Sequence, residues 1–322
     1  MIIRFFKKSY FSRILVLFLL ILLFWLPETV LLSRKAYPAQ IAFIHLNPWL
    51  MQVLAIFLFF FIALLVNRIS TEHRLTKRNS YITAFFFVLI GSASGLMTRP
   101  GPYLAAAFFL VLFYQKVFRF QNNTKIIPAT FDAGILLGIV SLFYPPMVIM
   151  VGFVWIALII YQTDQWRAYF TTVLGTLVPW FFIFLGYFWF DKLSELFSWI
   201  LPYFRFRAIW MPFTNTLNLI MFLLIATVTL VSTLSLLANM SSFNIRLYKH
   251  AHISLWALLL SIVIIFITAA PVQSLMLAAL PASLVTGTFI SQIKRLRWAN
   301  LFVWLWLLFI LVNHYLPLLY AA

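Results

Sequence analysis

Apolar residues run along this chain in stretches about as long as a bilayer is thick, separated by short polar clusters. A spanning helix needs roughly 17–25 mostly apolar residues. The pattern predicts eleven such segments: 13–32, 47–67, 81–98, 102–118, 131–144, 146–162, 168–190, 215–239, 252–270, 272–291 and 298–316. The polar intervals are too short for a soluble domain, so residues 1–322 read as a single transmembrane domain. The expected fold class is an all-α polytopic transmembrane helix bundle.

Two segments strain the count. Phe131–Tyr144 gives about 21 Å of helix at 1.5 Å per residue, short of a hydrocarbon core of roughly 30 Å. It meets the next segment at Pro145-Pro146, so 131–162 reads either as two short spans or as one re-entrant hairpin. Either way the chain returns to the side it left. The first segment resembles a signal peptide, with Arg4, Lys7 and Lys8 ahead of a short apolar run. No small-x-small cleavage pattern follows, so a retained anchor is expected.

Composition supports lipid as the solvent. Apolar residues make up 65% of the chain and charged residues 9%, against about 25% charged in soluble domains. There is no cysteine, which removes disulfide and thiolate chemistry.

The net charge of +17 would suit a nucleic-acid binder, but its distribution argues otherwise. With the N-terminus inside, only six of the 23 basic residues fall outside: Arg34, Lys35, Arg99, Lys192, Arg205 and Arg207. That asymmetry follows the positive-inside rule. It predicts a cytoplasmic N-terminus and a periplasmic C-terminus, and charge split over two faces forms no single groove for nucleic acid.

Few residues carry candidate chemistry. Glu28 follows Pro27 at the end of the first span, about 21 Å above Ile14. An ionised group at that depth needs water or a partner, and Arg34 and Lys35 are the nearest cations in sequence. Glu28 reads as a catalytic acid or base, or a metal-binding carboxylate, facing the periplasm, or as an interfacial helix end. Arg205 and Arg207 interleave with aromatics in "PYFRFRAIWMPF", and guanidinium forks suit phosphate. With Arg99 they form a candidate phosphate-binding set; the competing reading is an aromatic belt with snorkelling arginines. Asp132 in "IPATFDAGILLG" reads as a helix cap beside Thr130, or as a proton or ion relay. Gly134 and Gly138, like Gly91 and Gly95, have the spacing of close helix packing. The histidines are scattered, and no HExxH, P-loop or Rossmann glycine pattern is present. No metal and no cofactor is assigned.

The stretches "NRISTEHRLTKRNSYITAFFFVLIGS" and "ATFDAGILLGIVSLFYPPMVIMVGFVWIALIIYQTDQWRAYFTTVLGTLVPWFFIFLGYFW" resemble an uncharacterised polytopic inner-membrane family of Gram-negative bacteria. A looser resemblance is to the GT-C glycosyltransferases that use polyprenyl-phosphate sugars. Those enzymes carry an acidic residue after the first span, matched by Glu28, and a long outside loop between spans seven and eight, matched by 191–214. The chain departs from them in its short first outside loop and in "TRPGPY", which holds no acid; Asp191 and Glu195 lie in the later loop.

Three functions follow for a multi-pass protein of the bacterial inner membrane with membrane lipid around it. The first is handling of a polyprenyl-phosphate-linked envelope intermediate at the periplasmic face, as a reduced GT-C relative, either catalytic or non-catalytic. The second is a non-enzymatic subunit of an envelope assembly or secretion complex, with other envelope proteins as partners. The third is a transporter built around Asp132.

Overall fold

The computed structural model describes residues 2–7, 11–34, 47–76, 80–122, 125–204, 216–267, 272–293 and 297–321. All regular structure among them is helical: α1 (Ile2–Phe6), α2 (Phe11–Arg34), α3 (Pro48–Glu72), α4 (Ile82–Gly91), α5 (Pro102–Phe118), α6 (Ile126–Phe143), α7 (Val151–Ile160), α8 (Trp166–Trp189), α9 (Leu193–Ile200), α10 (Thr216–Asn239), α11 (Ile245–Ile267), α12 (Leu275–Gln292) and α13 (Arg297–Ala321). Seven helices among the described residues are long and apolar enough to cross a membrane, and three shorter apolar segments, Ile82–Gly91, Pro102–Phe118 and Pro145–Ile160, accompany them. The protein is thus a multi-pass membrane protein.

At the centre stand α4 and α12. All ten residues of α4 are buried. A Cβ on Gly287 of α12 would sit 2.7 Å from the Thr83 hydroxyl of α4, so only glycine lets these backbones meet. Around the pair stand α2, α3, α5, α10, α11 and α13. The first long helix, α2, is part of this body, with Leu17, Ile21, Phe24 and Trp25 fully buried.

A second unit, α6 against α8, shows the glycine packing expected at 134 and 138. A Cβ on Gly134 would lie 2.4 Å from the Thr172 carbonyl, and one on Gly138 would meet Thr176 O at 2.6 Å. Gly175 returns the contact, 2.4 Å from Phe131 O. The Trp180 indole donates to Ser141 Oγ at 2.7 Å across the same seam. The other glycine pair behaves differently. Gly91 fits under the Phe59 ring, 2.8 Å from a Cβ position, but α4 stops there and Gly95 is not helical.

Helix ends gather at two poles. At one, α2, α4 and α13 end while α3, α5 and α10 begin, and Glu28 marks it. At the other, α3, α5 and α7 end while α4 and α11 begin, and His73 marks it. The N-terminal α1 docks at the His73 pole: Ile3 N donates to Asn300 Oδ1 at 3.0 Å, and Phe6 stacks on Phe85 at 4.5 Å.

Several boundaries differ from the sequence expectation: α3 runs on to Glu72 where 67 was expected, and α11 begins at Ile245 where 252 was expected. The segment expected as a helix over 81–98 leaves the helix after Gly91. The helix expected from 131 begins at Ile126. Pro128 lies in its first turn, where a missing N–H has no acceptor to lose. The helix therefore has 18 residues, about 27 Å.

Candidate functional site

Ser92–Thr98 continues the chain from α4 without forming helix, at the Glu28 pole of the bundle. α4 supplies about 15 Å of a core of roughly 30 Å. Irregular backbone at that depth must be buried in protein or line water, because lipid offers it no hydrogen bonds. Here side chains from α3 and α13 bond its carbonyls, and side chains from α2 and α10 bond its hydroxyls. His314 Nε2 lies 2.7 Å from Ser92 O and donates, since a carbonyl only accepts. Asn313 donates to Ala93 O at 3.0 Å, and Gln52 donates to Thr98 O at 3.0 Å. The Trp25 indole donates to Ser92 Oγ at 3.1 Å, and Ser94 Oγ donates to Asn218 Oδ1 at 3.0 Å. Within the loop, Thr98 Oγ1 caps Gly95 O at 3.0 Å. The Gln52 Oε1 atom is buried without a partner among the described residues.

Glu28 closes this knot. Its carboxylate pairs with the Nε of Arg99, the residue next to Thr98. The Glu28 side chain is 5% exposed and that of Arg99 28%. A Cβ on Gly95 would approach Glu28 Oε2 at 3.4 Å, so the carboxylate rests against the loop. Pro27 contributes beside it. Having no N–H, it frees the carbonyl one turn back, and the Tyr315 hydroxyl donates to that Leu23 oxygen at 3.0 Å.

The candidates from the sequence divide accordingly. Glu28 and Arg99 meet, so the partner of Glu28 is a cation far along the chain, where Arg34 and Lys35 stood nearest in sequence. Lys35, Arg205 and Arg207 lie outside the described residues. Asp132 is neither cap nor core: it sits in the second turn of α6, its side chain half exposed, paired to Lys116 Nζ at 2.9 Å. The cap expectation fails because the helix starts six residues earlier than Asp132, at Ile126. Asp191 and Glu195 are also accounted for. Asp191 ends α8 with φ of 53°, and Glu195 pairs with Lys192 at 3.6 Å.

A second buried polar cluster, at the His73 pole, was not apparent from the sequence. His73 and His250 stack edge to face with centroids 4.8 Å apart, boxed by Phe118 and Tyr161. The Tyr161 hydroxyl lies 3.3 Å from Phe118 O and 3.0 Å from His250 Nδ1. Arg119 grips Glu72 with two bonds of 3.1 and 3.2 Å beside the pair. His73 Nε2 is buried with no partner among the described residues. Among the described residues no three His, Cys, Asp or Glu side chains gather as a metal site. Two helix ends 177 positions apart build this pair, and no spacing rule links them.

The profile of a family of unknown function, DUF6427, matches residues 7–320, nearly the whole chain. No curated protein and no solved structure matches it.

Two outcomes follow from this geometry. Arg99→Ala leaves a buried carboxylate unpaired and costs about 3–5 kcal/mol. The double variant Glu28→Gln/Arg99→Met costs less than Arg99→Ala alone, because no charge is stranded; thermal midpoints of the detergent-extracted protein test the order. At the other pole, burial lowers the His73 imidazole from its usual 6.5 to about 4, with Arg119 adding to the fall and Glu72 opposing it. The unfolded chain therefore takes up this proton first, and stability drops as pH falls from about 6.5 toward 4. His73→Phe flattens that acid limb in midpoints recorded across the window.

Proposed function

We propose, for a chain that belongs to the family of unknown function DUF6427, the role of a non-enzymatic membrane subunit in an envelope assembly. The observation that carries this reading is the state of Glu28. A general base must reach the proton it abstracts. This carboxylate is sealed against Gly95 and neutralised by Arg99, in a knot where side chains take the carbonyls of Ser92, Ala93, Gly95 and Thr98. Its work is to hold a non-helical segment in place. Asp132, half exposed in a surface pair with Lys116, suits a transporter's relay poorly.

The orientation belongs to this reading too: N-terminus cytoplasmic, C-terminus periplasmic, about eleven crossings of the bacterial inner membrane. The two poles support it. Helix ends alternate between them along the chain, with α4 plus its loop and the Pro145–Ile160 segment acting as short crossings. Lys116, Arg119, Arg68, Arg246 and Lys249 gather toward the His73 pole, whereas Arg99 and Lys192 stand at the other. The positive-inside rule then makes the His73 pole cytoplasmic.

One observation favours a second reading, a GT-C-like handler of polyprenyl-phosphate-linked intermediates from a Gram-negative envelope. The acid after the first long helix and an arginine meet at the pole that would face the periplasm. That reading requires Arg99 to leave Glu28 before it takes a phosphate. Native mass spectrometry of the gently extracted protein separates the two. The subunit reading expects a second polypeptide bound in fixed ratio. A stoichiometric polyprenyl-linked lipid, or the bare chain alone, contradicts it.

A further inference from the structure

The short helix α9 has three faces, and only two of them are explained by water and by the bundle. The chain reaches it through a sharp break at the end of α8. Lys192 N bonds back to Tyr187 O at 2.9 Å and Asp191 N to Phe188 O at 3.1 Å, with Asp191 in the left-handed region. This is a helix-stopping hydrogen-bond pattern usually built on glycine. It turns the chain aside just past Trp189 and Phe190, which are 80% and 73% exposed.

Read at 100° per residue, "LSELFSWI" sorts cleanly. Ser194, Ser198 and Glu195 share one side, and Glu195 is tied to Lys192 there. Leu196 points inward and is the buried residue of the helix. Trp199 packs on Tyr203, which continues through Tyr144 to Tyr103 at the Glu28 pole. Phe197 lies on neither side. It is 51% exposed, and Leu201 and Phe204, just beyond the helix, are 58% and 49% exposed.

We propose that α9 is an interfacial helix of the Glu28 pole, with Phe197, Leu201 and Phe204 seated in the headgroup–acyl boundary of the bilayer and Ser194, Glu195 and Ser198 in water. The occupant of the open face is lipid for three reasons. α8 is an apolar 24-residue helix, so its end marks a bilayer boundary by its own length, about 36 Å. Four large aromatics, Trp189, Phe190, Phe197 and Trp199, stand at that level, the composition of an interfacial belt. The polar arc is narrow and borders the open apolar face, with both turned away from buried Leu196, as in a helix lying in the boundary plane. This inference stands apart from the proposed role, since it needs neither a partner protein nor a reaction.

The absence of cysteine from the chain permits a direct test. Single cysteines at Ser194, Phe197, Ser198 and Leu201 carry a nitroxide in the full-length protein, reconstituted into phosphatidylethanolamine–phosphatidylglycerol vesicles. All four positions are exposed, so the labels displace no core contact; monodisperse elution before reconstitution checks this. Labels at 197 and 201 are expected to collide with oxygen several-fold more than with a water-soluble nickel chelate. Labels at 194 and 198 should show the reverse. Equal nickel access at all four positions places the helix in water and overturns the proposal. Protection of 197 and 201 from both reagents means protein covers them, and overturns it too.

Discussion

A peptide backbone that leaves the helix inside a lipid-facing body must find its hydrogen bonds from protein or from enclosed water, because lipid supplies none. In this structure that constraint falls on Ser92–Thr98. α4 is too short to cross a bilayer by itself, and the chain after it is irregular. The rest of the Glu28 pole is arranged to answer the deficit. Trp25 from α2, Gln52 from α3, Asn218 from α10, and Asn313 and His314 from α13 all converge on one loop. These helices are distant in sequence, so the knot fixes how they sit together.

Charge completes what the hydrogen bonds begin. A lone carboxylate this deep would be costly, and a lone guanidinium nearly as much. Together, with Glu28 against the loop and Arg99 partly reaching solvent, they close the knot from the polar side. Pro27 has a part in the same joint. By opening the Leu23 carbonyl to Tyr315 it ties α2 to α13 one turn below the ion pair. The residue types that suggest a catalytic site in the sequence, an acid after a proline with arginines at the same face, are the ones a buried irregular loop requires.

The apolar runs alone revealed a helical membrane body, because period and length are local properties. The Gly134 and Gly138 spacing foretold the α6–α8 seam for the same reason: two small residues one turn apart make a flat face wherever that face docks. What failed was non-local. The sequence put Glu28 and Arg99, 71 positions on, at the same face, but nothing in it announces that the two pair with each other. The end of α4 was hidden because Ser92, Ser94 and Thr98 are compatible with helix, and only their tertiary partners draw the backbone away. Asp132 was misplaced for a local reason: the apolar run was read from 131, whereas α6 begins at Ile126 and tolerates Pro128 in its first turn. The His73–His250 pair left no trace in spacing at all.

The two poles therefore differ in kind. One is an aromatic box around two imidazoles with charged side chains beside it, and the other is a polar clamp around bare backbone. The account stands or falls on that clamp being dry. Hydrogen–deuterium exchange of the peptide covering Ser92–Thr98, in the reconstituted protein, reads this directly. Exchange as slow as that of the buried α4 is the result expected of a sealed structural joint. Rapid exchange while α4 stays protected would show a water-filled cleft at Glu28, and would contradict the structural role assigned to the pair.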